Sequence, residues 1–302
     1  MAGVMTTQNL KMTWYRDMDK VMRDEYNRHE TEYDKFVKVS TETKKHYVRK
    51  GLQVTLGAVP EIKQGGPITF DAFADGPNKT VYFNSYALAL QVTEDAFDDD
   101  LIGITRDAVK ELGKAHAYTE ELKAWDLINS GFVTTTRAGV DSLALFSNSH
   151  VLYGDGSQYG DNLVTGAFSK TTLKEALDLF ENMKQERGIP MVSKGPYVVW
   201  VGPADRWLAE EILKSEFDPD TGNNTVNPLY GKNITFKVGH FFSTTGAWFV
   251  QDMSMRNLEL IRKKKLSTRE ETDFNTENKL WKAWQKYTAT FWYWRGIVAS
   301  AG

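Results

Sequence analysis

The chain has 302 residues, of which 41% are hydrophobic, 13% aromatic and 25% charged, and its formal net charge is -3. This length and composition indicate a globular protein with one large domain or two ordinary ones. The negative net charge argues against a protein whose main task is to neutralise nucleic-acid phosphate. The absence of cysteine excludes disulfides, thiolate nucleophiles and cysteine-based zinc sites.

The N-terminal segment is predicted to be charged and amphipathic. Its apolar side chains recur at roughly helical spacing, and they are Met18, Met22, Tyr26, Tyr33 and Phe36. Two interpretations stay open. The segment is either a surface helix or an arm that packs on another subunit, because its apolar stripe is thin for a core of its own. The opening residues lack the apolar core of a secretion signal.

Residues 51–92 are predicted to form a long hairpin with an irregular tip. Gly-Gly-Pro and Asp-Gly-Pro units supply the turns, and short β-type runs flank them. An isolated two-stranded ribbon is marginal in water, so the hairpin calls for a neighbouring subunit to lie on. Phe70 and Phe73 alternate with Asp71 and Ala74 in a pattern that suits such a contact.

The strongest helical signal begins at Thr93, a plausible N-cap. The carboxylates that follow it are explained by the helix macrodipole more readily than by a cation site. No proline interrupts the run, which at 1.5 Å per residue could reach ~45 Å. Apolar residues step by three or four along one face: Leu101, Ile104, Ala108, Leu112, Ala115, Tyr118, Leu122 and Trp125.

The rest of the chain alternates helix and strand patterns, which indicates a compact α/β or α+β region. Helices are predicted over 172–188 and 205–215, and buried or extended strands at 197–203, 232–242, 247–252, 258–267 and 286–300. The most hydrophobic late stretch, 287–298, is far shorter than the ~20 residues that span a bilayer. No membrane association is expected.

The stretch "ALFSNSHVLYGDG" (144–156) gathers Ser147, Ser149, His150 and Asp155. Neighbouring side chains on an extended segment point to opposite sides, so Ser149 and His150 cannot form a nucleophile–base pair there. No nucleophile-elbow motif surrounds either serine. We therefore predict a polar surface turn that tolerates alanine at both positions, with a soluble hydrolase as the alternative.

Two charged stretches resemble ligand sites only weakly. "DPDTGN" (218–223) opens like a calcium loop, but the twelfth position, Leu229, lacks the required carboxylate. The basic run Arg262, Lys263, Lys264 and Lys265 could touch phosphate. A solvated strand edge or an intersubunit salt bridge is favoured. No catalytic, cofactor or metal site is expected.

The order of parts is distinctive: a charged arm, a long hairpin, a long helix, an α/β region and final aromatic strands. In this order the chain resembles tailed-bacteriophage major capsid proteins of the Hong Kong 97-type fold, most closely the Mu-type head subunits. The stretches that carry the resemblance are "YALALQVTEDAFDDD" (86–100), "DSLALFSNSH" (141–150), "NPLYGKNITFKVG" (227–239), "AWFVQD" (247–252) and "WRGIVAS" (294–300).

The resemblance implies an α+β capsid fold with five parts. They are an N-terminal arm (1–48), an extended E-loop (49–92), the spine helix of a peripheral domain (93–133), an axial domain (134–251) and the closing strands of the peripheral domain (252–302). It also implies a subunit that assembles into pentamers and hexamers of an icosahedral head around double-stranded DNA. An encapsulin-like nanocompartment shell is the alternative.

Further expectations follow from the resemblance. The partners would be copies of the chain together with portal, scaffold or protease, and decoration proteins. The subunit would assemble in the bacterial host cytoplasm and reside in the virion, without a cofactor. Lys63 and Lys79 in the loop are interpreted as surface lysines. Candidate intersubunit contacts are Phe70, Phe73, Met18, Met22, Tyr26, Arg262, Lys263, Lys264 and Lys265.

Overall fold

A computed structural model describes residues 7–93, 102–134, 138–154, 159–217, 226–276 and 278–302. Four helices lie in these ranges: α1 (Thr7–Arg28), α2 (Ile102–Asn129), α3 (Lys170–Glu181) and α4 (Arg206–Lys214). Short 3₁₀ turns occur at Tyr33–Lys35 and Pro203–Asp205. The strands are β1 (Lys38–Thr41), β2 (Tyr47–Val54), β3 (Ala74–Tyr82), β4 (Asn84–Val92), β5 (His150–Val151), β6 (Tyr159–Gly160), β7 (Tyr197–Val201), β8 (Ile234–Val238), β9 (Trp248–Asp252), β10 (Leu258–Thr272), β11 (Lys279–Phe291) and β12 (Ile297–Ser300).

The first of the two larger sheets, which we call the elongated sheet, has the strand order β1-β10-β11-β4. Its centre is the antiparallel pair β10 and β11, with 15 and 13 residues. The short strand β1 runs parallel to β10, and β4 lies antiparallel to β11. Helix α2 packs against β4 and β11, and α1 packs against α2.

The second sheet, which we call the compact sheet, has the order β12-β9-β7-β8. Strand β7 is apolar at every position because both of its faces are covered. Val198 and Trp200 join the cluster shared with α2 and the elongated sheet. Val199 and Val201 join the cluster that contains α3 and α4. The compact sheet therefore lies between two hydrophobic layers.

Helix α3 shows how local sequence sets a helix boundary. Ser169 caps it, accepting from the Thr172 amide at 3.2 Å while its own amide donates to the Thr172 hydroxyl at 2.9 Å. The helix ends at Glu181, earlier than the predicted 188. Gly188, with φ of 73°, instead belongs to a tight turn closed by the bridge between Lys184 and Pro190.

The hairpin consists of β2 and β3, so it spans residues 47–82. Strand β4, which the sequence places in the loop segment 49–92, instead pairs with β11 in the elongated sheet. Tyr86 of β4 stacks on Tyr287 of β11 with ring centroids 4.5 Å apart. The long strand β11 thus has a hydrogen-bonded partner strand on each side, β10 and β4.

The last strand also differs from its expected position. Strand β12, predicted within the closing segment 252–302, pairs with β9 of the compact sheet. All four of its residues are buried. A strand buried on both sides needs cover on both faces, and the compact sheet between its two hydrophobic layers supplies that cover.

Helix α2 confirms the predicted long helix over 102–129, but its buried face is displaced from the predicted stripe. Tyr118 and Leu122 of the stripe are 49% and 40% exposed. Glu120 and Glu121 are buried in their place. Hydrophobic spacing misses this face because carboxylates with partners occupy it.

The contact between α1 and α2 places the described part of the N-terminal segment against its own chain. Met18 and Met22 are buried in a cluster with Leu112, Leu266 and Trp281 of the same chain. The helices approach closely at Gly113, where an added Cβ would lie 2.6 Å from the carbonyl oxygen of Met22. Helix α1 therefore packs on its own subunit.

Substitution of this glycine tests the close approach. We expect Gly113→Ala to lower the free energy of unfolding by about 1–3 kcal/mol, because the two backbones would have to separate. Gly103→Ala in the same helix is the matched control, since an added Cβ there meets nothing within 4 Å. The control should be neutral or stabilising by up to about 1 kcal/mol. Denaturant unfolding of both variants measures the difference, and equal effects would contradict this packing.

Candidate assembly surface

A buried polar network joins α1, α2 and β10. Glu120, which is 2% exposed, accepts from Arg262 Nε at 2.7 Å and from the Tyr26 hydroxyl at 2.5 Å. Arg262 also donates to the Tyr33 hydroxyl at 2.6 Å. Burial and the charge of Glu120 raise the pKa of Tyr26, so its hydroxyl remains a donor. We call Tyr26, Tyr33, Glu120 and Arg262 the junction network.

The junction network gives Tyr26 and Arg262 partners within their own chain. The sequence favours a solvated edge or an intersubunit salt bridge for Arg262, and the structure pairs it with Glu120 of the same chain. A contact of either residue with a neighbouring subunit stays a prediction. Met18 and Met22 are likewise 4% and 0% exposed, so they offer no free apolar surface to a neighbour. A long charged side chain such as arginine can be buried when a carboxylate neutralises it. The sequence, a run of four basic residues, does not show that Arg262 is the one with such a partner.

The three lysines after Arg262 have different surroundings. Lys263 Nζ donates to the carbonyl oxygen of Lys45 at 2.7 Å. Lys264 Nζ lies 3.7 Å from the centroid of the Trp284 ring, and Lys265 is exposed. Strand β1 pairs with β10 only as far as Arg262, so these lysines follow the point where described pairing on that side ends.

The tip of the hairpin, residues 56–73, exposes large apolar side chains. Phe70 is 93% and Phe73 68% exposed. Val59 and Ile68 are 93% and 69% exposed. These side chains have no apolar cover in the single subunit, as is common in a loop that contacts another molecule. The tip therefore has the character that its sequence predicts, and an intersubunit contact there stays a prediction.

The tip is attached to the body of the subunit by an exposed ion pair. Arg187 NH1 and NH2 lie 2.8 and 3.0 Å from the two carboxylate oxygens of Asp71. At the base of the hairpin, Lys79 donates to the carbonyl oxygen of Phe291 at 2.9 Å and is half-buried. Lys63 is exposed. The interpretation as a surface lysine therefore fits Lys63 better than Lys79.

The prediction of a polar surface turn is wrong for His150, which is fully buried. Its Nδ1 lies 2.5 Å from Asp141 Oδ2, and its Nε2 lies 3.1 Å from Asn162 Oδ1. The ring stacks on Trp294 with centroids 4.6 Å apart. Asp141 and Asn162 lie only 9 and 12 residues from His150, but the stacked Trp294 comes from the far end of the chain, so local pattern could not reveal the burial of the ring.

The serines do not engage this histidine. Ser149 is exposed, and its hydroxyl lies 3.2 Å from that of Ser147. Both ring nitrogens of His150 already have partners, which leaves no base for a serine nucleophile. Asp155, the other residue of the predicted cluster, lies outside the described residues.

Other ligand chemistry finds no support in the described ranges. Among them there is no group of three or more His, Asp or Glu side chains that could hold a metal ion. The calcium-like loop at 218–223 lies outside them. None of the described helices is long and apolar enough to cross a membrane.

The fold of this chain is similar to that of several capsid and particle subunits of known structure. It is similar to the capsid protein of the cyanophage P-SCSP1u, with a TM-score of 0.61, 10% identity, and coverage of 91% of this chain and 88% of that chain. It is also similar to the capsid of a native GTA particle, with a TM-score of 0.59, 9% identity, and coverage of 88% of this chain and 88% of that chain. A virus-like particle from Pyrococcus furiosus matches with a TM-score of 0.53, 11% identity, and coverage of 95% of this chain and 99% of that chain. These structural similarities show that the chain has the mixed helix-and-sheet fold of Hong Kong 97-like capsids.

The family follows from the sequence itself. A model of the phage capsid protein family matches residues 78–300, which is most of the chain. The chain therefore belongs to the phage capsid protein family. No curated protein is significantly similar to it in sequence.

The junction network predicts a specific pattern of unfolding free energies. Arg262→Met leaves the buried carboxylate of Glu120 without its cation, so we expect a loss of about 3 kcal/mol or more. Adding Glu120→Leu should restore part of that loss, because the uncompensated charge is removed. Lys265→Met, on the same run, should change stability by less than about 0.5 kcal/mol. Denaturant unfolding of the isolated subunits measures all three, and a neutral Arg262→Met would contradict the intramolecular role.

The buried histidine gives a second prediction. His150→Ala removes two hydrogen bonds and a stacked ring, so we expect a loss of about 3 kcal/mol. Ser149→Ala should be within about 0.5 kcal/mol of the unsubstituted chain, because Ser149 is exposed. Thermal unfolding of the two variants separates them. Equal melting temperatures of the two variants would contradict the buried position of His150 and support a surface turn.

Proposed function

We propose that the protein is a major capsid protein, which self-assembles into pentamers and hexamers of an icosahedral phage head enclosing double-stranded DNA. The family membership supports a capsid role. The observation that carries the assembly proposal is the hairpin tip, whose exposed phenylalanines have no apolar cover in the single subunit. Many copies of a weak contact add up when each subunit in a closed shell makes it.

The parts of the subunit have proposed roles in the shell. The hairpin of β2 and β3 is the E-loop that lies on a neighbour, and α2 is the spine helix. The elongated sheet belongs to the peripheral domain, and the compact sheet with α3 and α4 forms the axial domain. Within the tailed phages, the order of the segments favours the Mu-type head subunits.

The same proposal assigns partners and location. The head would be completed by portal, scaffold or protease, and decoration proteins, with assembly in the host cytoplasm and residence in the virion. DNA would be enclosed without sequence-specific binding, since a net charge of -3 argues against a protein whose main task is to neutralise nucleic-acid phosphate. We infer no enzymatic activity, because the family to which the chain belongs is one of capsid proteins.

The nanocompartment alternative is less well supported. The similarity to a virus-like particle from Pyrococcus furiosus concerns the fold alone, at 11% identity. The family model that matches the sequence describes phage capsid proteins. Particles isolated from cells distinguish the two, because a head contains DNA and a nanocompartment contains a cargo protein.

Substitution of the tip tests the assembly proposal. We expect Phe70→Ser with Phe73→Ser to leave the melting temperature of the isolated subunit unchanged, since both side chains are exposed there. The same pair should abolish closed shells in negative-stain images, because every tip contact in the lattice loses its apolar anchors.

Lys63→Ser, an exposed polar change in the same tip, is the matched control and should assemble normally. Normal shells from the double variant would overturn the role of the tip. An unsubstituted chain that stays monomeric at high concentration with its phage partners present would overturn the capsid proposal itself.

A further inference from the structure

The hairpin of β2 and β3 is fastened to the body of the subunit at its base. Lys50 Nζ of β2 lies 2.7 Å from Glu259 Oε2. The Tyr293 hydroxyl donates to the carbonyl oxygen of Gly51 at 2.8 Å. Together with the contact of Lys79 described above, these bonds hold the first residues of both strands of the hairpin in place.

Beyond its base, the hairpin passes over a cavity of about 480 Å³. Leu52 and Gln53 of the hairpin line this cavity, together with Met255 and Tyr293 of the body. The pairing of β2 with β3 has a register shift between Gly51 and Gln53 in the same stretch. Such a bulge bends a strand and interrupts its ladder. Close packing therefore does not fix the direction of the hairpin over this stretch.

The tip contacts the body again through Asp71 and Arg187, a pair that we call the clasp. Both carboxylate oxygens of Asp71 accept from the guanidinium of Arg187. They also accept from the amides of Gly57 at 3.0 Å and Ala72 at 2.8 Å. One carboxylate thus joins the two ends of the tip to one side chain of the body. Bidentate pairing fixes orientation as well as distance.

Arg187 stands on a turn that is itself firmly held. Arg295 Nε donates to the carbonyl oxygen of Lys184 at 2.8 Å, and Arg295 Nη1 lies 2.6 Å from Glu186 Oε1. The amide of Gly154 donates to the carbonyl oxygen of Glu186 at 2.8 Å. A Cβ added at Gly154 would lie 2.5 Å from Cγ of Arg187, so the glycine makes room for the arginine stem. The body therefore offers Arg187 to the tip from a defined position.

The clasp bears directly on the exposed phenylalanines of the tip. Phe70 immediately precedes Asp71 and is 93% exposed, while the Asp71 carboxylate is turned to Arg187. Phe73 follows two residues later and is also exposed. Both phenylalanines are thus presented to the surroundings while the clasp is closed.

We infer that the clasp positions the hairpin tip for docking, by directing Phe70 and Phe73 toward a neighbouring copy of the chain. The inference rests on the proposed assembly into a shell. A loop that already has its bound direction loses less conformational freedom on binding. An exposed ion pair is weak, so the clasp favours one direction of the tip without locking it.

The direction of the tip can be measured in the free subunit. The chain has no cysteine, so spin labels at Val59→Cys in the tip and Glu175→Cys on α3 report one distance by pulsed electron paramagnetic resonance. Both positions are exposed. We expect one predominant distance, and a broad distribution after Arg187→Gln.

Lys214→Gln is the matched control, because it removes a different exposed ion pair, with Glu210 of α4, and should keep the predominant distance. A broad distribution with Arg187 in place, or an unchanged one after Arg187→Gln, would overturn the inference. Either result would leave the proposed function standing, because the measurement does not involve assembly.

Assembly provides the second measurement. Asp71→Asn and Arg187→Gln should each leave the melting temperature of the free subunit unchanged. Each should raise the critical subunit concentration for shells by about two- to fivefold, as expected when one exposed ion pair is lost per subunit. Because the two residues act through each other, the double variant should be no worse than either single variant.

Three results would overturn the inference. Additive effects in the double variant would mean that Asp71 and Arg187 contact neighbours separately. A lowered critical concentration would mean that the clasp withholds the tip, and unchanged assembly of both single variants would mean that it has no role. Failure of the proposed function is distinguishable from all three, because then the unsubstituted chain would form no shells.

Discussion

The ion pair between Glu120 and Arg262 is the constraint on which the arrangement of the subunit depends. A carboxylate that is 2% exposed is tolerated only when a cation and hydrogen-bond donors surround it. Those groups come from separate elements, Arg262 from β10 and Tyr26 from α1. Arg262 in turn donates to the hydroxyl of Tyr33 in the turn after α1. The network is satisfied only when all of these elements are in place together, so it fixes the N-terminal segment to the long helix and the elongated sheet.

This constraint divides the subunit into parts with different needs. In the N-terminal segment, Met18, Met22 and Tyr26 find apolar and polar partners within their own chain. The hairpin tip has the opposite character, since Phe70 and Phe73 remain exposed and its connection to the body is an exposed ion pair with Arg187. Exposed ion pairs contribute little to stability. A subunit with a fixed body and one projecting apolar loop suits assembly into a shell, because the loop can settle on a neighbour without rearrangement of the core.

Local pattern predicts much of this fold. The helical spacing of apolar residues predicts α2, the run of apolar residues predicts β7, and the Gly and Pro turn units predict the hairpin. What it misses depends on contacts between distant residues. Glu121 lies four residues from Ala117 and from Trp125, so it is on the buried face of the helix. From sequence alone, however, a carboxylate at this position is expected on the polar surface. Its burial depends on amide donors from Glu32 and Tyr33 and the indole of Trp125, and desolvation raises its pKa to about 7. The burial of His150 likewise depends on residues from other elements. The sheet that β12 joins is also decided by the elements that cover the strand, and not by the sequence of the strand itself.

The division into a self-contained body and a loop completed by neighbours is tested most directly by amide hydrogen exchange on free subunits and on assembled shells. The account predicts that amides of residues 29–37, beside the junction network, are protected in both states. It predicts that amides of residues 56–73 exchange rapidly in the free subunit and become protected only in the shell. Rapid exchange of 29–37 in the free subunit, or protection of 56–73 before assembly, would contradict it.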